Sequence, residues 1–158
     1  MNDMQMPGRD HNTVAFSEPI TSYRLKRTGQ RPYMFNGTEL CNAMSYVPGT
    51  PFWYEINIYQ NLNETFVVEI KMFTKSDNDR EMFRVMEVSS LSDVFEKLEN
   101  YQTAHDIEVP LVNFADTRKS VAEVGLQAAQ IRLKMKEASR QFSDLVGQIL
   151  FELEQSNQ

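Results

Sequence analysis

Cysteine is almost absent from this sequence of 158 residues, which contains a single one, Cys41. One cysteine excludes an internal disulfide and a zinc site made of several cysteines. Scarce cysteine is also typical of a reducing compartment, so we expect a cytoplasmic protein. Cys41 itself lies in a stretch of alternating apolar residues, where cysteine commonly serves as a small core residue.

Residues that carry catalytic or cofactor chemistry are also few. The chain has two histidines and six glycines, and no spacing typical of a metal site, a dinucleotide fingerprint or a phosphate loop. The acidic stretch 77–81 lacks the glycine and the glutamate of a calcium loop. We therefore expect no cofactor, no metal and no enzymatic activity. The alternative is an enzyme that uses strand carboxylates, such as Glu55 and Glu69, as an acid–base pair.

No apolar run approaches the roughly 20 residues of a membrane span, so we expect no membrane partner. The net charge of -6 opposes nucleic-acid binding driven by overall charge. One segment is basic, because residues 21–50 hold four basic residues and one acidic residue. The four basic residues are Arg24, Lys26, Arg27 and Arg31. They surround a predicted turn at 28–30, so a hairpin that binds nucleic acid or a phosphate ligand is an alternative function.

Alternating apolar residues between positions 21 and 88 predict an antiparallel sheet of four or five strands. The first strand begins near Tyr23, and Gly37 predicts a bulge or break in the second. The two clearest strands cover residues 52–60 and 66–74, and a third strand follows over 81–88.

The register of these three strands follows from their side chains. Pairing Ile56 with Ile70 also places Glu55 opposite Lys71, whereas a slip by one residue would set Ile56 against Glu69. The next loop, read as residues 75–80, then pairs Ile70 with Val85. One face of the sheet is continuously apolar and forms the predicted core.

The opposite face has a charged middle and apolar rows at its ends. Charged rows are expected on a solvated face, whereas large apolar rows are not. One of these rows consists of Trp53, Phe73 and Met82. Such rows predict partial cover by another element of the chain or by another chain, and we assign this row to an interface with a partner protein.

Two capping boxes predict two helices, one from Ser90 and one from Ser120. The first helix covers about 90–101 and packs on the core face. The second continues for almost forty residues without proline. Its apolar residues step alternately by four and three, which is a heptad seam. The seam comprises Val124, Ala128, Ile131, Met135, Ala138, Phe142, Leu145 and Ile149.

Such a helix is roughly 50 Å long at 1.5 Å per residue, longer than a small sheet can cover. We therefore expect it to pair with a second copy of the chain, in a homodimer or a higher oligomer. The predicted interface residues of this helix are Ile131, Met135, Phe142, Leu145 and Ile149. The alternative is that the helix packs across its own sheet.

These segments divide the chain into four parts. We expect a flexible tail over 1–20, a sheet-and-helix domain over 21–101, a connecting loop over 102–118 and the long helix over 119–158. The fold class is α+β: a β-meander with one packed helix and a long C-terminal helix. The expected function is non-enzymatic, with the sheet domain binding a partner protein and the helix assembling the chains.

Overall fold

The structure is a computed structural model, and it describes residues 19–109 and 120–156. The tail predicted over 1–20 lies outside the described residues up to position 18, as do residues 110–118 of the predicted connecting loop. The described part of that loop contains a short 3-10 helix at Thr103–Asp106.

Five antiparallel strands form one sheet, and their order in the sheet is their order in the chain. The strands are β1 (Thr21–Arg27), β2 (Gln30–Met44), β3 (Phe52–Asn61), β4 (Phe66–Thr74) and β5 (Met82–Val88). The helix α1 (Leu91–Glu99) follows the sheet, and the helix α2 (Val121–Ser156) ends the described chain. The predicted α+β class is therefore confirmed.

The predicted register between β3 and β4 is also confirmed. Ile56 lies opposite Ile70, and Glu55 lies opposite Lys71. The Lys71 ammonium is 3.3 Å from the Glu55 carboxylate. Cross-strand pairing of unlike charges on one face, and of branched apolar residues on the other, makes this register unambiguous.

The predicted register between β4 and β5 is wrong by one residue. Ile70 lies opposite Arg84 rather than Val85, and Met72 lies opposite Met82. Strand β5 carries apolar residues on both of its faces. Its side-chain pattern therefore did not determine the register. As a result, Met82 packs in the core beneath the helices and does not extend the row of Trp53 and Phe73.

The sheet curls until its first and last strands meet. The backbone N–H of Thr28 donates to the carbonyl of Phe83 at 2.9 Å, and the N–H of Phe83 donates to the Thr28 hydroxyl at 2.9 Å. We call the face inside the curl the inner face and the face that the helices cover the outer face. A small aromatic core fills one end of the inner face. It contains Leu25, Phe35, Tyr59 and Val67, flanked by Tyr23, Tyr33 and Val85.

Gly37 does not break β2, which runs unbroken for 15 residues. A Cβ atom at Gly37 would lie 2.1 Å from the carbonyl oxygen of Gln60, so only glycine allows the two strands to approach this closely. The pairing with β3 then shifts between Glu39 and Cys41. This bulge bends the strand and increases the curl of the sheet.

The helix α1 begins as predicted, because the Ser90 hydroxyl accepts from the Asp93 N–H at 3.1 Å. Val94 and Leu98 of this helix are buried against the outer face. The start of α2 is capped in the same way, with the Glu123 N–H donating to Ser120 at 3.2 Å.

The second half of α2 lies on the chain's own sheet. Phe142, Leu145 and Ile149 are buried in the outer-face core. We expected these three side chains to contact a second chain, and the structure places them in the chain's own core instead. The predicted alternative, a helix packed across its own sheet, therefore describes this half of α2.

Candidate functional site

A buried carboxylate forms the centre of a polar network on the inner face. Glu69 accepts hydrogen bonds from the Asn57 amide at 2.8 Å and the Tyr59 hydroxyl at 3.0 Å. Lys71 bridges Glu69, at 3.5 Å, and Glu55, at 3.3 Å. Burial raises the pKa of Tyr59, and the charge of Glu69 raises it further. Both carboxylates therefore bind side chains of the same sheet, and this network stabilises the sheet.

A second buried carboxylate, Asp106, lies on the outer face. It accepts from the hydroxyl groups of Tyr54, at 2.8 Å, and Tyr101, at 2.7 Å. The Arg84 guanidinium donates to it at 3.2 Å. Burial and the nearby Asp106 charge raise the pKa of both tyrosines. Every strong polar group of this cluster therefore has a partner, and the cluster ties the 3-10 helix to the sheet.

Four aromatic rings form a continuous row at the other end of the inner face. The Tyr46 and Trp53 ring centroids are 4.9 Å apart, those of Trp53 and Phe73 are 5.7 Å apart, and those of Phe73 and Phe83 are 5.9 Å apart. Tyr46 is exposed and the other three rings are half-buried. We call Tyr46, Trp53, Phe73 and Phe83 the aromatic row.

Lysines accompany three rings of the aromatic row. The Lys26 ammonium lies 4.7 Å from the centre of the Phe83 ring, and those of Lys71 and Lys75 lie 5.9 Å from the centres of Phe73 and Tyr46. In the described part of the chain, neither Lys26 nor Lys75 is within ion-pair distance of a carboxylate. The row therefore combines ring surface with unpaired positive charge.

The four residues of the predicted basic hairpin do not converge on one point. Lys26 joins the aromatic row, while Arg27 donates to the carbonyl of Arg31 at 2.7 Å and covers the Tyr33 ring. Arg24 is exposed and pairs in the sheet with Met34. The hairpin turn depends on Gly29, whose φ of 73° suits glycine.

A groove of about 560 Å³ separates this hairpin from the loop between β4 and β5. Basic residues from both sides line it, together with three acidic residues of the loop. The acidic residues are Asp77, Asp79 and Glu81. The mixed charge of the groove makes it a poor pocket for an isolated phosphate.

No side chain in the first part of α2, from Val121 to Leu133, is buried or belongs to the core. We call residues 121–133 the overhang, about 20 Å long at 1.5 Å per residue. Leu126 and Leu133 are 61% and 67% exposed there, and Ala122 and Ala129 are exposed beside them. These four residues step by four, three and four, so they form one line along the helix, which we call the outward stripe.

Charged residues follow the outward stripe towards the C-terminus of α2. Arg140 pairs with Glu137 at 2.6 Å and with Asp144 at 3.1 Å. The remaining predicted interface residues lie on the sheet-facing side of α2. Ile131 is half-buried, and Met135 packs against the outer-face core.

Cys41 is buried in the outer-face core. Burial raises the pKa of its thiol to about 12, and two nearby glutamates contribute to this shift. A thiol with so high a pKa is a poor nucleophile at neutral pH.

Residues 19–109 and 120–156 contain no group of three or more histidine, cysteine, aspartate or glutamate side chains placed to hold a metal ion. None of the helices within these ranges is long and apolar enough to cross a membrane. Comparison with known proteins found no matching family model, no similar curated protein and no similar solved structure.

Sequence reasoning missed parts of both candidate surfaces. Tyr46 lies just beyond the end of β2, in the connection to β3, and Phe83 was assigned to the wrong face by the register error. The outward stripe was present in the sequence as a four-three-four pattern, but the longer seam on the other side of the helix obscured it.

Proposed function

We propose that this protein is a non-enzymatic cytoplasmic assembly protein in which the overhang of α2 joins two copies of the chain. The observation that carries the proposal is the exposure of Leu126 and Leu133 on a helix that is anchored at its other end. Large apolar side chains in a line are unusual on a solvated helix face and typical of a helix that packs on a partner.

The sheet gives this helix a fixed direction. An isolated helix of about 13 residues is marginal in water. Here the buried second half, with Leu145 and Ile149 in the core, continues the overhang without a break. The overhang is therefore preorganised, which lowers the entropic cost of pairing.

The outward stripe is complementary to itself. If two overhangs pair antiparallel about a two-fold axis, Leu126 meets Ala129 of the second copy, and Leu133 meets Ala122. Each of the four layers then sets a large residue against a small one, which lets the helices approach closely and fill the space between them. Four layers are a short contact, so the association is weak and depends on concentration.

Light scattering with size-exclusion chromatography tests the assembly. The wild-type chain is expected to run as a dimer at about 100 μM and to dissociate on dilution. Leu133→Glu should lower the mass to that of a monomer while the circular dichroism spectrum is retained, because the added charge stays in solvent in the monomer. Leu62→Glu is the matched control, since Leu62 is also largely exposed, at 57%, but lies in the loop between β3 and β4.

A second variant separates pairing from folding. Leu145→Glu places a charge in the chain's own core and should unfold the domain. A wild-type protein that is monomeric at about 100 μM would contradict the proposal. A dimer that survives both Leu126→Glu and Leu133→Glu would show that a different surface makes the contact.

A further inference from the structure

We propose that the aromatic row binds single-stranded nucleic acid, with bases stacked on its rings and phosphates beside its lysines. This site is separate from the overhang and goes beyond the assembly function. Rings that follow one another along a curled sheet, with cations over them, provide both parts of such a site: a stacking surface and a charged track for the backbone.

The rings are placed so that stacking surface stays accessible. Trp53 and Phe73 lie nearly parallel, at 27°. Tyr46 and Phe83 turn steeply at the two ends, at 70° and 84° to their neighbours. The row is therefore not a closed stack, and its rings are only half-buried or exposed. Unpaired bases can stack on such rings, whereas bases within a duplex cannot.

The lysines favour a nucleic acid over an apolar protein surface. In a protein interface, charged groups are depleted at the centre of the contact. Here Lys26 and Lys75 lie over the rings themselves, so an apolar partner would bury two unpaired ammonium groups, which is unfavourable. Phosphates would instead neutralise them and release counterions.

Acidic residues limit the strength of the site. Asp77 and Glu81 lie across the groove from Lys26, and Glu55 and Glu69 pair with Lys71. We therefore expect weak binding with little sequence preference and with strong salt dependence. With two phosphates neutralised, by Lys26 and Lys75, affinity should fall roughly 7-fold between about 50 and 200 mM salt, given the slope measured for single strands.

Trp53 reports directly on the site, since it is the only tryptophan in the chain and lies in the row. Titration with single-stranded oligothymidylate and oligouridylate at about 50 mM salt should quench its fluorescence. Tyr46→Ala should weaken binding roughly 5- to 150-fold, the loss expected for one stacked base. The combined change Lys26→Glu and Lys75→Glu should abolish detectable binding.

The control variant is Lys97→Glu, which changes the net charge by the same amount per site in the last turn of α1, away from the row. It should leave affinity within about twofold of wild type. Each titration is repeated in the Leu133→Glu background, so loss of assembly and loss of nucleic-acid binding are measured separately.

Several results would overturn the proposal. These are absence of quenching at about 50 mM salt, equal affinity for the duplex of the same sequence, and an equal loss of affinity in Lys97→Glu. Binding that survives Lys26→Glu with Lys75→Glu but not Tyr46→Ala would also overturn it, because the row would then act as an apolar protein-binding surface.

Discussion

The Tyr54 hydroxyl donates to the Asp106 carboxylate at 2.8 Å, although the two residues are 52 positions apart in the chain. Tyr54 is fully buried in the sheet, and Asp106 belongs to the 3-10 helix that leads towards α2. This contact, with those from Tyr101 and Arg84, holds the 3-10 helix against the sheet.

Replacing Asp106 with alanine should destabilise the fold by about 2–5 kcal/mol, because the buried hydroxyl of Tyr54 then has no acceptor. Arg84 adds less, since its side chain is 39% exposed and remains hydrated. Urea unfolding followed by circular dichroism measures the change. The comparison variant is Asp144→Ala on the exposed side of α2, which should cost less than about 0.5 kcal/mol. Equal effects of the two changes would mean that the Asp106 cluster does not stabilise the fold.

Stability should fall in alkaline solution through the tyrosines. Burial and the Glu87 carboxylate raise the pKa of Tyr33 to about 12, and burial also raises the pKa values of Tyr54, Tyr59 and Tyr101. An unfolded tyrosine ionises near pH 10, so above about pH 10 the unfolded chain has released protons that the folded chain retains. This contribution is complete below about pH 10 and is lost as the pH rises through the folded pKa values.

The free energy of unfolding, measured in urea from about pH 9 to about pH 11, should therefore decrease by up to about 1.4 kcal/mol per pH unit for each such tyrosine. Tyr33→Phe removes one of these groups with little change in the core, and its slope should be correspondingly shallower. A wild-type slope of zero over this range would show that the tyrosines are accessible in the folded state.

Cys41 should be unreactive in the folded protein. Its thiol is buried and has a pKa of about 12, so almost none of it is thiolate at about pH 8. Ellman's reagent is expected to detect no thiol in native buffer and one thiol per chain in concentrated guanidinium. A rapid native reaction would instead show that β2 opens locally.

Two glycine-to-alanine substitutions should change the free energy of unfolding in opposite directions. Gly37→Ala forces a Cβ against the Gln60 carbonyl, a backbone atom that cannot move aside, and should destabilise by about 1–3 kcal/mol. Gly147→Ala meets nothing within 4 Å on the exposed side of α2 and should stabilise by about 0.5–1 kcal/mol. The urea midpoints of the two variants check both signs. A neutral Gly37→Ala would mean that the two strands are farther apart than the structure places them.

The sequence predicted the fold where alternation and charge agreed. The register of β3 and β4 followed from unlike charges at Glu55 and Lys71 and from Ile56 and Ile70 on the other face. In β5 the apolar residues stand on both faces. An error of one residue in the predicted loop length was therefore enough to exchange the two faces of the strand. The alternation of residues predicts a strand. Its register with the neighbouring strand can be predicted only when one of its faces is apolar and the other is polar.

The candidate surfaces were harder to predict from the sequence. Trp53 and Phe73 were found because they pair directly across two strands, whereas Phe83 joins them diagonally and Tyr46 joins them from the segment after β2. No pattern in the sequence around Asp106 indicates its role, because its hydrogen-bond partners come from three other segments of the chain. Such tertiary contacts become visible only when the elements are packed.

The contact between Thr28 and Phe83 also has a consequence for the colloidal behaviour of the protein. A meander of five strands has two edges, and an exposed edge is a template on which another chain can add a strand. By turning these edges towards each other, the protein satisfies part of their hydrogen bonding internally, through Thr28 and Phe83. Concentrated solutions should therefore resist the growth of intermolecular β-structure, even though the chain carries exposed aromatic residues.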